Sequence, residues 1–378
     1  MIMKQSEIIR DFAAFFPSLA GKYCAEAFER CPSVRRRQMH LHGKKWHGLT
    51  KQEVGRPPLP VFVDLEITTA CQLQCVYCAR TFMGISSLHL QCRELERMLD
   101  ALPFIVQVTL VGLGEPLLHP KLADVLRILK QRHLRIGLVT NGIALTPEKA
   151  QMLIKLGLDS ITFSLDCMDR DIFEHLRKGA DFSRIIENIR NFMEVKKKSA
   201  SAMTVNIFLA LQKETVGGLG DVARFAADIG IAALVVSELN FLENHARAIS
   251  PDRSLSELEK VLLDEMRKVA RCGVVLLGPN ILDEVIPAID WPAVRINRPE
   301  QILKKNGYKR ERCLAPWRTL VVRVDGSVNF CNCTPAHSAG TLGNDNFDEI
   351  WRNAAYQNFR HRLYYGPVPS ECRVCPRL

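Results

Sequence analysis

Apolar residues take up two alternating rhythms between Val61 and Glu238. Short runs with strand character lie at Val61–Ile67, Ile105–Val111, Arg135–Thr140, Ser160–Leu165, Thr204–Leu211 and Ala232–Glu238. Between them apolar positions recur at helical spacing, as in Pro120–His133, Pro147–Leu156, Phe182–Lys197 and Leu219–Ile229. Six strand–helix repeats predict an α/β fold with a parallel sheet, open or curled into a partial barrel. In such sheets the chemistry collects at the carboxyl ends of the strands, so the residues just after each strand are the ones to inspect.

The flanks read differently. Ile8 to Arg30 has helical spacing interrupted at Pro17, and Pro57, Pro58 and Pro60 form a stiff entry to the alternating region. Residues 242–312 carry a helix at Ser254–Arg271, a short strand at Val274–Leu277 and an irregular remainder. From Thr319 to Phe330 the pattern alternates around Asp325-Gly326, a hairpin signal, and a helix follows at Phe347 to Leu363. The expected units are therefore an N-terminal extension (1–60), an α/β core (61–241), a connecting segment (242–312) and a small hairpin–helix unit (313–378).

Composition narrows the partners. The chain has 378 residues, 47% hydrophobic and 24% charged, as expected of a globular protein with a large core. No apolar run approaches the ~20 residues that a membrane span needs. Lys4, Glu7, Arg10 and Asp11 interrupt the N-terminus where a signal peptide would be apolar, so a cytoplasmic protein is expected. The net charge of +10 would suit an anionic partner. However, the basic run from Arg35 to His47 lacks aromatic interleaving and any Cys partner, which argues against nucleic acid and for a solvated or docking segment.

The cysteines then change the picture. In a reducing compartment, 13 of them point to metal ligation or catalysis rather than disulfides. Cys71, Cys75 and Cys78 fall within eight residues, directly after the first strand. Chance placement would give this triple roughly 0.015 times in such a chain. Three thiolates on one tight loop suit an iron–sulfur cluster with one iron left open. A zinc knuckle on Cys75 and Cys78, closed by a distant Cys pair, is the alternative, but it leaves Cys71 without a task.

Later strand ends offer polar groups. Gly112-Leu113-Gly114-Glu115-Pro116 ends the second strand, where glycines permit close backbone approach and Glu115 can accept from an ammonium. Thr140-Asn141-Gly142 makes a polar turn after the third. Ser164-Leu165-Asp166 ends the fourth, with the hydroxyl and carboxylate suited either to a ribose or to a helix N-cap. Arg177 is either a carboxylate clamp or an exposed helical arginine.

Together these motifs, with Tyr77 before the last cysteine of the triple, resemble the radical S-adenosylmethionine (SAM) superfamily over about Val61 to Glu238. The resemblance implies a partial (β/α)6 TIM-like barrel and a [4Fe–4S] cluster on Cys71, Cys75 and Cys78, with SAM chelating the open iron. By position, Gly112, Gly114, Glu115 and Pro116 would surround the methionyl ammonium, and Asn141 would belong to the same cofactor-binding set. Ser164 and Asp166 would hold the ribose, Arg177 the carboxylate, and Tyr77 would lie near adenine. Leu113 replaces the first glycine of the family's usual Gly-Gly-Glu. The implied chemistry is reductive cleavage of SAM and hydrogen abstraction from a substrate C–H bond, fed by a low-potential donor of flavodoxin or ferredoxin type.

The C-terminal unit is similar to the SPASM/twitch extension of one branch of that superfamily. Cys313, Cys331, Cys372 and Cys375 are then expected to hold one auxiliary [4Fe–4S] cluster, with Cys333 as an alternative ligand and a structural zinc as the competing occupant. A fully ligated cluster suits electron acceptance, so net oxidation of a small-molecule alcohol or sugar is the expectation. The alternative is a peptide or protein side-chain maturase forming crosslinks, unsaturated residues or epimers. Cys167, next to Asp166, is a candidate hydrogen donor for epimerisation or else a buried bystander thiol.

Overall fold

The computed structural model describes residues 57, 59–231, 233–238, 255–277, 315–332, 337–343, 346–366 and 372. The helices expected within Ile8–Arg30, the basic run from Arg35 to His47 and the irregular part of 242–312 lie outside them. Twelve strands are described: β1 Phe62–Leu65, β2 Gln74–Cys75, β3 Gln107–Leu110, β4 Arg135–Thr140, β5 Ser160–Ser164, β6 Arg177–Lys178, β7 Thr204–Leu211, β8 Ala233–Glu238, β9 Val275–Leu277, β10 Thr319–Val322, β11 Ser327–Asn329 and β12 Ser338–Thr341. Ten form one sheet in the order β12-β11-β10-β1-β3-β4-β5-β7-β8-β9, while β2 and β6 pair separately. The six strands expected from the pattern are present in chain order as β1, β3, β4, β5, β7 and β8. Every neighbour pair from β10 to β9 is parallel. The sheet does not close on itself among the described residues, which makes the fold a partial (β/α)6 barrel.

The core helices are α1 Ala79–Met83, α2 Cys92–Ala101, α3 Leu122–Gln131, α4 Pro147–Lys155, α5 Arg170–Leu176, α6 Phe182–Lys198, α7 Leu219–Asp228 and α8 Leu255–Cys272. Local chemistry sets their ends. Thr146 caps α4 by accepting from the Lys149 N–H, with Pro147 at the first helical position. Asp181 caps α6, whose last turn carries Lys196, Lys197 and Lys198 against the negative end of the helix dipole.

The two faces of the sheet differ in kind. Val63, Leu65, Val108, Leu110, Ile136, Leu138, Ile161, Phe163, Ile207 and Leu209 are buried in one apolar core beneath the helices. Each such side chain contributes about 1.5–3 kcal/mol on burial. The intervening positions form the inner face. Register aligns Asp64 with Thr109, Thr109 with Gly137 and Gly137 with Ser160, and Thr162 lies beside Asn206. The inner face therefore carries polar and small side chains interspersed with Phe62, Val139, Phe208 and Val235, unlike the packed apolar core of a closed (β/α)8 barrel.

Two readings of the flanks are refined. The helix and strand expected within 242–312 are α8 and β9, and they add one more strand–helix unit to the parallel sheet instead of merely connecting two domains. At the other edge, the hairpin β10–β11 turns at Gly326, whose φ of +83° only glycine adopts without strain. The single C-terminal helix expected from the pattern is two, α10 Phe347–Arg352 and α11 Ala354–Tyr365, after the short α9 Ala315–Arg318. Asn353 ends the first and caps the second, accepting from the Tyr356 N–H, so a local hydrogen bond breaks an otherwise continuous apolar rhythm.

Gly220 is where α7 meets α8. A Cβ there would stand 2.6 Å from Lys268 Cβ, and the Gly220 N–H donates to Glu265 at 2.7 Å. Gly220→Ala is expected to destabilise the protein by about 1–3 kcal/mol despite alanine's better helix propensity, because the helices must part. Urea unfolding reads this as a lower midpoint.

Candidate active site

The loop from Ala70 to Cys78 leaves β1 at the carboxyl edge of the sheet and is tied to each strand end beside it. The Glu115 N–H donates to Ala70 O at 2.8 Å, joining it to the loop after β3. Gln72 Nε2 donates to Asn141 Oδ1 at 3.1 Å, and Asn141 Nδ2 points to Cys71 Sγ at 3.9 Å, joining it to the turn after β4. The Tyr77 hydroxyl donates to Asp166 Oδ2 at 2.5 Å, joining it to the end of β5. The β2–β6 ladder sets Cys75 beside Arg177 and Gln74 beside Lys178. That ladder has no signature in the sequence.

The three thiols share one field. Burial, opposed by Arg177 and reinforced by Cys78, Asp166 and Cys71, pushes the Cys75 thiol up to about 12. Burial also raises Cys71. Thiols this reluctant to ionise lose their protons to a metal centre, which replaces the proton's charge. Among the described residues no three potential ligands enclose a single ion. The ligands of a cluster, by contrast, sit on separate irons and need not converge.

Glu115 is buried and fully occupied. Its Oε1 accepts from Leu117 N at 3.0 Å and Thr140 Oγ1 at 2.7 Å, and its Oε2 from Asn141 N at 2.7 Å. Burial raises its pKa against those bonds. The glycines expected to admit a ligand are used by the protein itself. A Cβ on Gly112 would meet Glu66 at 2.5 Å, and one on Gly114 would meet the Thr68 carbonyl at 2.1 Å. Their smallness lets the Gly-Leu-Gly-Glu loop close on the cysteine loop, and Pro116, buried beyond it, opens a short 3₁₀ turn.

Asp166 and Arg177 face each other. Asp166 has no exposed surface and takes Arg177 Nε at 2.8 Å, Arg177 Nη2 at 3.0 Å and the Ala210 N–H at 3.0 Å, besides Tyr77. Burial pulls on the Arg177 guanidinium, but Asp166 outweighs it and holds Arg177 well above its ordinary value. Arg177 is thus neither an exposed helical residue nor free on its Nε edge, and Asp166 is not a helix cap. Asp169 caps α5 instead. Ser164 is half-buried on the inner face, with no hydroxyl hydrogen bond among the described residues. Cys167 lies in the apolar core and donates to Asp169 O at 3.4 Å, and burial pushes it up to about 12. This is the environment of a bystander thiol.

One residue had no signal in the sequence. Gln212, directly after β7, is fully buried, and among the described residues neither its Oε1 nor its Nε2 has a partner. An unpaired buried amide costs about 1–3 kcal/mol, so it marks a place built for a polar ligand. A partly polar inner face, a serine hydroxyl with no partner among the described residues and an orphan amide at a strand end, at the same edge of the sheet as a three-thiol loop, fit a cluster carrying a charged nucleoside-like molecule.

Residues 65–226 match the family model of the radical SAM superfamily, and residues 313–376 match an iron–sulfur cluster-binding (SPASM) domain. The chain belongs to the radical SAM superfamily. It is 24% identical, over 83% of its length and 87% of the other, to the tungsten-containing aldehyde ferredoxin oxidoreductase cofactor-modifying protein of Pyrococcus furiosus. It is 26% identical to the PqqA peptide cyclase of Ruegeria pomeroyi, over 85% of this chain and 81% of the other. In fold it matches Streptococcus suis SuiB bound to SAM with a TM-score of 0.64 at 15% identity, over all of this chain and 88% of the other. A radical SAM domain carries a SAM-bound [4Fe–4S] cluster and a SPASM domain an auxiliary iron–sulfur cluster. Of the auxiliary ligands expected here, Cys331 is half-buried and Cys372 buried in the C-terminal unit. Cys313 and Cys375, like Cys333, lie outside the described residues. Among those residues no helix is long and apolar enough to cross a membrane.

Two outcomes follow for this radical SAM site. Asp166→Ala leaves Arg177 buried without its partner and is expected to cost about 3–5 kcal/mol in denaturant unfolding. Gln212→Leu should instead raise the melting temperature of the SAM-free protein while weakening SAM retention in equilibrium dialysis. Unchanged values for both would remove Gln212 from the site.

Proposed function

We propose that Cys71, Cys75 and Cys78 hold the SAM-binding [4Fe–4S] cluster and that the enzyme catalyses a net oxidation of its substrate. With one electron from a low-potential donor, the bound cluster and SAM would supply a 5′-deoxyadenosyl radical, methionine being the leaving group, to abstract hydrogen from a substrate C–H bond. The chain's own groups position these partners. Asn141 approaches Cys71, and Glu115 fixes Asn141 and the loop after β3. Ser164 and Gln212 remain open to SAM or substrate, and the polar inner face receives the substrate.

The oxidative outcome rests on one observation. Asn332, one residue after Cys331, donates to Asp64 Oδ2 at 2.5 Å, and Asp64 lies on the inner face of β1. Register places Cys331 at the amino end of β10, one strand of about 13 Å from the edge that carries Cys71. A substrate on the inner face would then lie between the radical source and an auxiliary cluster on Cys313, Cys331, Cys372 and Cys375, which can accept its electron.

The substrate class has two readings. A small-molecule alcohol or sugar suits the modest polar interior. A peptide side chain is favoured by the similarity to PqqA peptide cyclases, which extends over 85% of this chain. Anaerobically reconstituted protein is expected to hold about two [4Fe–4S] clusters. It should also release 5′-deoxyadenosine with SAM and dithionite, and Cys71→Ala/Cys75→Ala/Cys78→Ala should abolish that release. Continued release by the triple variant would sink the reading. A product two mass units lighter than substrate is the expected sign of oxidation.

A further inference from the structure

Glu66 follows β1 directly and Arg323 follows β10 directly, and the register of Leu65 with Val322 sets them side by side on the inner face. Both are buried, at 3% and 7% exposure. Arg323 Nη1 stands 3.4 Å from Glu66 Oε2, and the Val324 N–H reaches Glu66 Oε1 at 3.5 Å. The same Oε2 accepts the Leu113 N–H at 2.6 Å, and the Glu66 N–H donates to Val322 O at 2.9 Å. The Glu66 side chain also fills the space that a Cβ on Gly112 would need. Among the described residues the Arg323 side chain has no other acceptor, and its Nε and Nη2 are buried without a partner.

One buried carboxylate thus takes a hydrogen bond from the middle of the Gly-Leu-Gly-Glu loop and the charge of an arginine from the SPASM unit. Without Arg323, a carboxylate buried here would lose its counter-charge and turn towards other donors or water, and its bond to the Leu113 N–H weakens. That loop carries Glu115, which holds Asn141 against Cys71. We infer that Glu66 and Arg323 are positioning residues through which the C-terminal domain holds the SAM-binding loop of the barrel in its binding geometry. The auxiliary domain then has a second role, independent of its cluster. This inference rests on the SAM site proposed above.

The test is a double-mutant cycle on SAM binding to the anaerobically reconstituted full-length enzyme, by equilibrium dialysis. Iron content and melting temperature are measured alongside, together with the SAM-induced change in the EPR spectrum of the reduced cluster. Arg323→Met and Glu66→Gln are each expected to weaken SAM binding about tenfold and to diminish the EPR change, with iron content preserved. The double variant should bind no more weakly than the poorer single one, because both act through one contact. Arg323→Lys, which keeps a charge beside Glu66, should recover most of the affinity. Should Arg323→Met not fold, the Lys and Gln variants decide between themselves: wild-type affinity in both overturns the inference. Wild-type affinity in Arg323→Met, or additive losses, overturns it as well while leaving the SAM site standing. A wild-type enzyme that fails to bind SAM overturns the site reading, and the inference with it.

Discussion

A carboxylate with no exposed surface, Asp166, takes hydrogen bonds from Tyr77, Arg177 and the Ala210 backbone, and through them it holds the cysteine loop to the barrel. An ionised carboxylate in such a place is tolerable only if every lone pair is used and a cation is adjacent. Both conditions are met by residues that also fix Cys75, since Arg177 pairs with Cys75 through its backbone and with Asp166 through its side chain. The geometry of the cysteine loop is thus set by an electrostatic requirement at the end of β5 rather than by the loop's own preferences. Glycine spacing serves the same end. Gly112 and Gly114 are narrow because Glu66 and Thr68 must pass beneath them.

The inner face shows what this framework is for. A barrel of parallel strands packed with branched apolar side chains would be more stable, yet here Asp64, Thr109, Ser160, Thr162 and Asn206 face inward. Polar groups in that position give up burial energy and gain a hydrated, ligand-accepting interior. Gln212 shows the cost most plainly, with two atoms unpaired among the described residues at the carboxyl end of β7.

Much of the architecture was legible in the residues. Strand and helix periods located the six central strands and the helices that cover them, because each buries one face against a common core. The three cysteines stood out because chemistry, not packing, dictates their spacing. What was hidden were long-range pairings. Arg177 read equally well as a surface helix residue, since nothing near it in sequence announces Asp166. Glu66 and Arg323 lie 257 residues apart, and neither is unusual in its own neighbourhood. The division at Asn353 was lost for a different reason, as a capping amide can stop a helix without disturbing the apolar rhythm that passes through it.

The edge strand explains how two units share one chemistry. β10 pairs with β1 in parallel along four residues, so the C-terminal unit is hydrogen-bonded into the barrel sheet and not merely packed on it. A strand added there has a carboxyl end beside the Gly-Leu-Gly-Glu loop and an amino end beside Cys331. The first end supplies Arg323, and the second, through Asn332 and Asp64, meets the interior from the opposite side. A rigid strand pair fixes the span between those ends far more tightly than two domains joined by a linker could. If an electron is to leave a substrate radical by a route other than the one it came by, donor and acceptor must be held at opposite ends of such a strut, and β1 and β10 form it.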